Sequence, residues 1–254
     1  MSPQDKRILV TGSSRGIGRG IAKELAAAGA VVVVHGSRES EALDQSYEHV
    51  RALAPNSLKF AADLSKPDEI AGLFDNIEKE LRGLDVLVNN AAVQNECPLM
   101  DMPEKDWDLV MAVDLKAPFL CGQYAARMMR SAGKGGKIIN ISSVHSQIPL
   151  RHYGHYSSAK GGLEQLTRCM ALEWADYNIQ VNALTVGAIA TALTPPDRAA
   201  ALATAIPANR VGQAEEVARL VAFLCSDGCD FLTGECITID GGITLGFCAN
   251  RRDL

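Results

Sequence analysis

The residue order predicts an α/β fold: a single-domain Rossmann-type, doubly wound parallel sheet of about seven strands with helices on both faces. Three observations carry this. Short β-branched runs alternate with helix-length amphipathic segments. A glycine-rich turn joins the first run to the first helix. No linker, charge block, low-complexity tract or solenoid repeat interrupts the 254 residues. Length alone permits one or two domains, but α/β folds often run this long as one unit, so 1–254 is read as a single domain.

The strand runs fall at 7–11, 31–35, 58–61, 86–89, 137–141, 180–184 and 236–239. Helix starts carry local signals. Ser65-Lys66-Pro67-Asp68 offers an N-cap, a first-turn proline and an acid, and Asp101-Met102-Pro103-Glu104 repeats that logic. Glu39 is expected to start the helix after the second run. Right-handed crossovers place all strand carboxyl ends on one edge, where ligands bind.

Hydrophobic content of 47% with 22% charged residues suits an ordinary globular core. A net charge of -5 argues against nucleic acid, whose binders cluster Lys and Arg on the phosphate backbone. Met1 to Arg7 leads directly into Ile8-Leu9-Val10, too short and too polar around it for a signal peptide or membrane span, so a cytoplasmic protein without membrane contact is expected. Seven cysteines without a CxxC pair suggest reduced thiols, with Cys225 and Cys229 as small apolar residues. His152 and His155 lack a clearly spaced third ligand, so no metal is expected.

Thr11-Gly12-Ser13-Ser14-Arg15-Gly16-Ile17-Gly18 follows the first run and opens a helix through Ile21, Ala22, Leu25 and Ala28. Glycines let the backbone approach a pyrophosphate, and the helix start offers free N–H groups and a positive dipole end. Such turns often serve geometry alone; the order strand, glycines, helix favours dinucleotide binding. An acid about 20 residues on would select NAD. Here the second run ends in His35-Gly36-Ser37-Arg38 with no acid. Arg15 and Arg38 can meet a 2′-phosphate, so NADP(H) is expected to be preferred, with NAD(H) possible. The alternative is that both arginines are solvated surface charges.

Tyr156 and Lys160 are four residues apart on a helix continuing through Leu163, Leu166, Met170 and Trp174, and so share a face. A free phenol titrates near pH 10, too high for a general base, and an ammonium nearby favours the phenolate. Two unit charges ~4 Å apart at an effective dielectric of 20 interact by roughly 4 kcal/mol. Ser142 and Ser143 follow the fifth run and should stand at the same edge. Alone, a Tyr–Lys pair is also what an exposed amphipathic helix carries.

Together, the glycine turn, Asn89-Asn90-Ala91, Ser143, Tyr156 with Lys160, and the closing Ile239-Asp240-Gly241-Gly242 resemble the short-chain dehydrogenase/reductase family from about Arg7 to about Thr244. The resemblance implies that Gly12, Ser14, Arg15, Gly16, Ile17 and Gly18 hold the phosphates. Ser37 and Arg38 meet the adenosine end, Asp63 and Leu64 flank the adenine, and Asn89 and Ala91 line the ribose. The 181–191 stretch passes over the nicotinamide and contributes Gly187, Ile189 and Thr191. Ser143 orients the substrate oxygen and Tyr156 is the acid/base. Lys160 favours the phenolate and contacts the nicotinamide ribose. In reduction, the pro-S hydride adds to a carbonyl carbon as Tyr156 protonates the oxygen.

Three positions depart from the family pattern. Asp114 stands where an asparagine usually positions a proton-relay water near the lysine; it can still accept a hydrogen bond, but its charge is expected to bind Lys160 differently. Ala92 replaces a glycine, which matters only if φ > 0 is needed there. Val186 replaces a proline before Gly187, which should loosen one turn.

An Ala-rich stretch around 188–210 with Thr194-Pro195-Pro196-Asp197 reads as a substrate lid. Polar residues at 144–147 and 151–155, with Gln94, Asn95 and Glu96, suit a hydroxylated substrate. Ser142-Ser143-Val144-His145, Ile148-Pro149 and 240–244 resemble most the glucose 1-dehydrogenase group, which puts a sugar or polyol first as the small-molecule substrate. The alternative is a 3-oxoacyl-acyl carrier protein reductase, with Arg127 and Arg130 on one helix but no basic residue in 174–178. A second alternative is a non-catalytic NADP(H)-sensing regulator, for which Asp114 is the only hint. Gly161 and Gly162 inside the catalytic helix call for close approach by another group. Subunit packing is the expected cause, with a homotetramer implied by the resemblance and the Leu245-Gly246-Phe247 tail at a second interface.

Overall fold

The computed structural model describes residues 3–191 and 194–245. Seven strands form one all-parallel sheet: β1 (Arg7–Val10), β2 (Val31–Gly36), β3 (Leu58–Ala61), β4 (Val86–Asn89), β5 (Gly136–Ser143), β6 (Ile179–Val186) and β9 (Cys236–Ile239), in the order β3-β2-β1-β4-β5-β6-β9. The order reverses between β1 and β4, and the crevice that such a reversal opens is where α/β sheets bind ligands. A separate two-stranded pair, β7 (Ile189–Ala190) with β8 (Gly212–Gln213), closes the 191–211 excursion.

Strand periodicity explains the two cores. Ile8 and Val10 face one side with Val32, Val34, Val86 and Val88, packed beneath α1 (Gly16–Ala27), α2 (Glu41–Leu53) and α8 (Ala214–Cys225). Leu9, Val33, Leu87 and Ile138 face the other, against α3 (Pro67–Leu81), α5 (Ala117–Ala132) and α6 (Gly154–Trp174). Burial on both faces is why Val31-Val32-Val33-Val34 is continuously apolar rather than alternating.

Helix starts differ from the sequence expectation. Ser65 does not cap α3: its N–H and hydroxyl both donate to Asp63 Oδ1, at 3.0 and 2.7 Å, which leaves Lys66 at the N-cap and Pro67 in the first turn. Glu39 precedes α2, which Ser40 caps by accepting from the Leu43 N–H. Asp101 belongs to a short 3₁₀ turn, and α4 (Glu104–Met111) begins after Pro103. The Ala-rich segment read as a substrate lid contains a ten-residue helix, α7 (Pro196–Ala205).

Between α4 and α5 the chain makes a π turn, Ala112–Lys116, so that the three segments run on as one helix. The π turn brings Asp114 into the interior, with no exposed surface. Single π turns inside α-helices are frequently found at functional sites. No helix among the described residues is long and apolar enough to cross a membrane.

Candidate active site

The glycine turn packs closely against the end of β4. Gly12 has φ +63°, and a Cβ there would lie 2.7 Å from Ala91 Cα. A Cβ on Gly18 would lie 2.4 Å from both Gly12 O and Asn90 Nδ2. Asn90 Nδ2 donates to Thr11 O and Gly12 O at 2.9 and 3.1 Å, which ties the turn to the end of β4. Helix α1 starts at Gly16 with no side-chain cap and no acid in its first turn. Its leading N–H groups therefore remain to be met by a ligand anion.

A cavity of about 850 Å³ opens in front of this turn, lined by Gly12, Ser14, Arg15, Ile17 and Gly18. Ser37, Arg38, Asp63 and Leu64 line it beyond the end of β2, with Ala91 and Thr191 across from them. Thr191 Cγ2 would lie 3.7 Å from a Cβ on Gly16, which brings the chain after β7 over the turn. Neither Arg15 nor Arg38 is in an ion pair among those described, whereas Lys66, also in the lining, pairs with Asp63 and Glu69 at 3.5 and 2.9 Å. Gly187 and Ile189 lie apart from this cavity, Gly187 against Asp240, where a Cβ would meet Asp240 Cα at 2.7 Å.

Asn89 is a correction. Its side chain is buried and donates to Asn140 Oδ1 at 2.9 Å and Pro118 O at 3.4 Å, so it points into the protein, and Asn90 is the amide that lines the cavity. Strand alternation sends consecutive side chains to opposite faces, which decides between the two. The bonds continue from Asn140 Nδ2 to Thr167 Oγ1 at 2.9 Å, so a buried polar chain links β4, β5 and α6. Ala92 is not among the residues with φ > 0, so its replacing a glycine carries no backbone strain. Val186 does not loosen a turn: it continues β6, paired with Ile239, and the Gly187 N–H donates to Ile239 O at 3.0 Å.

His35 was not expected at the site. It is buried, and the Gly12 N–H donates to its Nδ1 at 3.1 Å, which leaves the ring proton on Nε2 to donate to Ala62 O at 3.0 Å. Burial lowers its pKa from 6.5 to about 4, against the opposing pull of the Ala62 carbonyl. The unfolded chain therefore binds a proton over this range that the fold refuses. His35's full contribution to stability is present above pH 6.5 and is lost as the pH falls toward 4. About 2.5 pKa units at 1.36 kcal/mol each make this roughly 3 kcal/mol. Denaturant melts at pH 7 and pH 4 should show that loss, and His35→Gln should flatten it; an unchanged slope in the variant rejects the assignment.

Tyr156 and Lys160 lie on α6, with Lys160 Nζ 5.5 Å from the centre of the Tyr156 ring. Lys160 is buried and donates to Ile141 O at 3.2 Å. Its Nζ is 3.3 Å from Asp114 Oδ2, and Asp114 Oδ1 accepts from the Val93 N–H at 2.8 Å. Val93 and Val113 line the cavity along with the glycine turn, and Val93 holds Asp114, the neighbour of Lys160. Ser143 ends β5, paired with Val186, and its hydroxyl accepts from the His145 N–H at 3.2 Å. The His145 and Tyr156 rings meet edge to face with centres 6.5 Å apart. Ser143, Tyr156 and Lys160 are thus gathered at the carboxyl edge of the sheet.

Glu164, one turn beyond Lys160, is buried, and its Oε1 accepts from Ser142, Ser146 and Thr185 hydroxyls at 3.1, 2.6 and 2.7 Å. A charged residue at the lysine's i+4 position was the available signal, though it reads equally as a solvated helix face. His155 is also fully buried: the Tyr156 N–H donates to Nδ1 and Nε2–H donates to Asn95 Oδ1, both at 2.9 Å, so both ring nitrogens are engaged within the chain. Cys121 and Cys225 are fully buried, with thiols pushed up to about 12. Gly162 lies against Leu115 of the same chain, where a Cβ would come within 3.0 Å of Leu115 Cδ2. Arg127 and Arg130 lie over the rings of Tyr124 and Tyr177, at 5.9 and 4.5 Å. Of the tail segment, Leu245 is exposed, and Gly246 and Phe247 lie outside the described residues.

Residues 12–244 match a family model described as enoyl-(acyl carrier protein) reductase. The chain is 36% identical to a 2-dehydro-3-deoxy-D-gluconate 5-dehydrogenase of Formosa agariphila over 97% of its own length and 96% of that protein. It is 35% identical to a glucose 1-dehydrogenase of Gluconobacter oxydans, over 94% and 92%. The crystal structure of a short-chain type dehydrogenase/reductase from Mycobacterium marinum superposes with a TM-score of 0.91 at 34% identity, covering 96% of this chain and 98% of that one.

Proposed function

The chain belongs to the short-chain dehydrogenase/reductase family, and from that premise we propose that it is an NAD(P)-dependent oxidoreductase interconverting a secondary alcohol and a ketone on a sugar, sugar acid or polyol. The observation that carries this is the gathering of Ser143, Tyr156 and Lys160 beside a glycine cradle whose Cβ space is already filled. That cradle, the uncapped start of α1 and the 850 Å³ cavity suit a dinucleotide. When bound, the nicotinamide supplies the hydride acceptor or donor. Ser143 Oγ hydrogen-bonds the reacting oxygen and orients it. As the phenolate Tyr156 takes the hydroxyl proton in oxidation, as the phenol it gives the proton back in reduction, and the Lys160 ammonium stabilises the phenolate form. The 188–210 segment, with α7, acts as the lid over the substrate, within a single domain spanning 1–254. The sugar class rests on the relatives' activities and on the hydrogen-bonding side chains around Tyr156. Following NAD(P)H absorbance with a panel of sugars, aldonic acids, small ketones and acetoacetyl thioesters tests it; turnover confined to thioesters, or nucleotide binding without turnover, overturns it.

NADP(H) is the preferred cofactor in this reading, because β2 ends without an acid and Arg15 and Arg38 line the cavity with no ion pair among the described residues. A charge-assisted contact is worth ~1.5–3 kcal/mol, so Arg38→Ala should raise the KM for NADP(H) about tenfold to a hundredfold and leave NAD(H) nearly unchanged. Equal KM values for the two cofactors in the unaltered enzyme reject the preference. A cytoplasmic homotetramer completes the proposal, and sedimentation velocity reads the assembly; a stable monomer removes that part.

A further inference from the structure

Two acidic side chains stand beside Lys160, the Tyr156 phenol and the Asp114 carboxyl. Tyr156 lies on its own helix, and Asp114 reaches it from the π turn, Oδ2 standing 3.3 Å from Nζ. Asp114 has no exposed surface, and Oδ2 has no hydrogen-bond partner among the described residues, so its contact with Lys160 is a charge pairing without hydrogen-bond geometry. Oδ1 is held by the Val93 N–H, which keeps the carboxylate from turning away. The helix departs from α geometry only over Ala112–Lys116, the turn that aims this residue inward.

We propose that Asp114 is a built-in counter-charge that draws part of the Lys160 ammonium away from Tyr156, so that the tyrosine–lysine pair works at higher pH than it would with an amide at 114. The inference rests on the oxidoreductase reading given above and assigns Asp114 as a positioning residue that acts through Lys160. The other charged or titratable groups around the pair are few. On α6, His155 has both nitrogens occupied and Glu164 is held by three hydroxyls. From the 3₁₀ turn after β5, His145 binds Ile148 O. On α4, Asp106 takes the Asn95 amide, and Asp108 is exposed; Lys116, on the π turn itself, is exposed too. β5 offers only the Ile141 carbonyl and the Ser142 and Ser143 hydroxyls. Burial holds the Asp114 carboxyl above the usual carboxylate range, outweighing the downward pull of Lys160 and the Val93 N–H.

Asp114→Asn keeps the shape and removes the charge. Taking the carboxylate as ~7–8 Å from the phenolate at an effective dielectric of 20, the tyrosinate absorbance that Tyr156→Phe abolishes should appear about 1–2 pH units lower in Asp114→Asn than in the unaltered protein. This titration needs neither cofactor nor substrate. The pH–rate profile for alcohol oxidation should move down by the same amount. Asp114→Ser, which also removes the charge, should give the same direction if the amide disturbs the Val93 contact. A profile and titration that stay in place, or move to higher pH, overturn the proposal. An unaltered protein that titrates as expected yet turns over no alcohol defeats the oxidoreductase reading instead, so the two failures are told apart.

Discussion

Tyr156→Phe is expected to lower kcat/KM by about 10²–10⁴-fold while leaving nucleotide affinity and thermal stability close to their original values. The variant removes one oxygen and keeps the ring, so the edge-to-face contact with His145 and the stacking position over Lys160 survive. Tyr156 is only half-buried, and its hydroxyl makes no hydrogen bond among those described, so no buried partner is stranded. A thousandfold loss is about 4 kcal/mol of barrier, the scale of a positioned general acid or base and well above any packing effect of a lost hydroxyl. Stopped-flow rates with saturating nucleotide, beside a fluorescence titration of the nucleotide itself, separate chemistry from binding. Turnover within threefold of the unaltered enzyme would remove Tyr156 from the mechanism.

What the chain discloses before folding is what short spacings can encode. The pair Tyr156 and Lys160 is legible because four residues on a helix always share a face, and the glycine turn is legible because strand, glycines and helix arrive in fixed order. The doubly wound class and the common carboxyl edge of the strands follow from alternation and handedness, whereas the strand order itself comes from the fold. Other features depend on contacts far apart in sequence. The π turn at 112–116 leaves no mark in an apolar-polar pattern that fits an unbroken α-helix, so Asp114 reads as a substitution without its ion pair being visible. His35 looks like a strand residue until Gly12, 23 positions earlier, is seen to donate to it. Asn89 and Asn90 are adjacent and chemically identical; alternation sends them to opposite sides, and the bond of Asn89 to Asn140 on β5 shows which one turns inward. The helix caps at Ser65 and Asp101 misled because each side chain or segment had a nearer partner: Asp63 for Ser65, and a 3₁₀ turn for Asp101.

The interlocked turn predicts the second large effect. Gly12→Val should weaken NAD(P)(H) binding by at least a hundredfold and cost about 3–5 kcal/mol of stability. At φ +63° a β-branched residue pays ~1–2 kcal/mol for its backbone alone, and its Cβ would sit 2.7 Å from Ala91 Cα, a backbone atom that cannot rotate aside. Overpacking of this kind adds ~1–3 kcal/mol, and relief requires the turn to move away from β4. That movement breaks the Asn90 bonds to Thr11 O and Gly12 O, and the Gly12 N–H bond to His35. It also carries off the N–H groups at the start of α1 that would meet the phosphates. Gly12→Ala meets the same clash and the same φ with a smaller side chain, and should fall between the two. Calorimetric titration of the nucleotide and thermal melts without it separate the binding loss from the folding loss. A Gly12→Val protein that binds nucleotide as tightly as the unaltered chain would mean that the close approach of Gly12 to Ala91 serves packing alone.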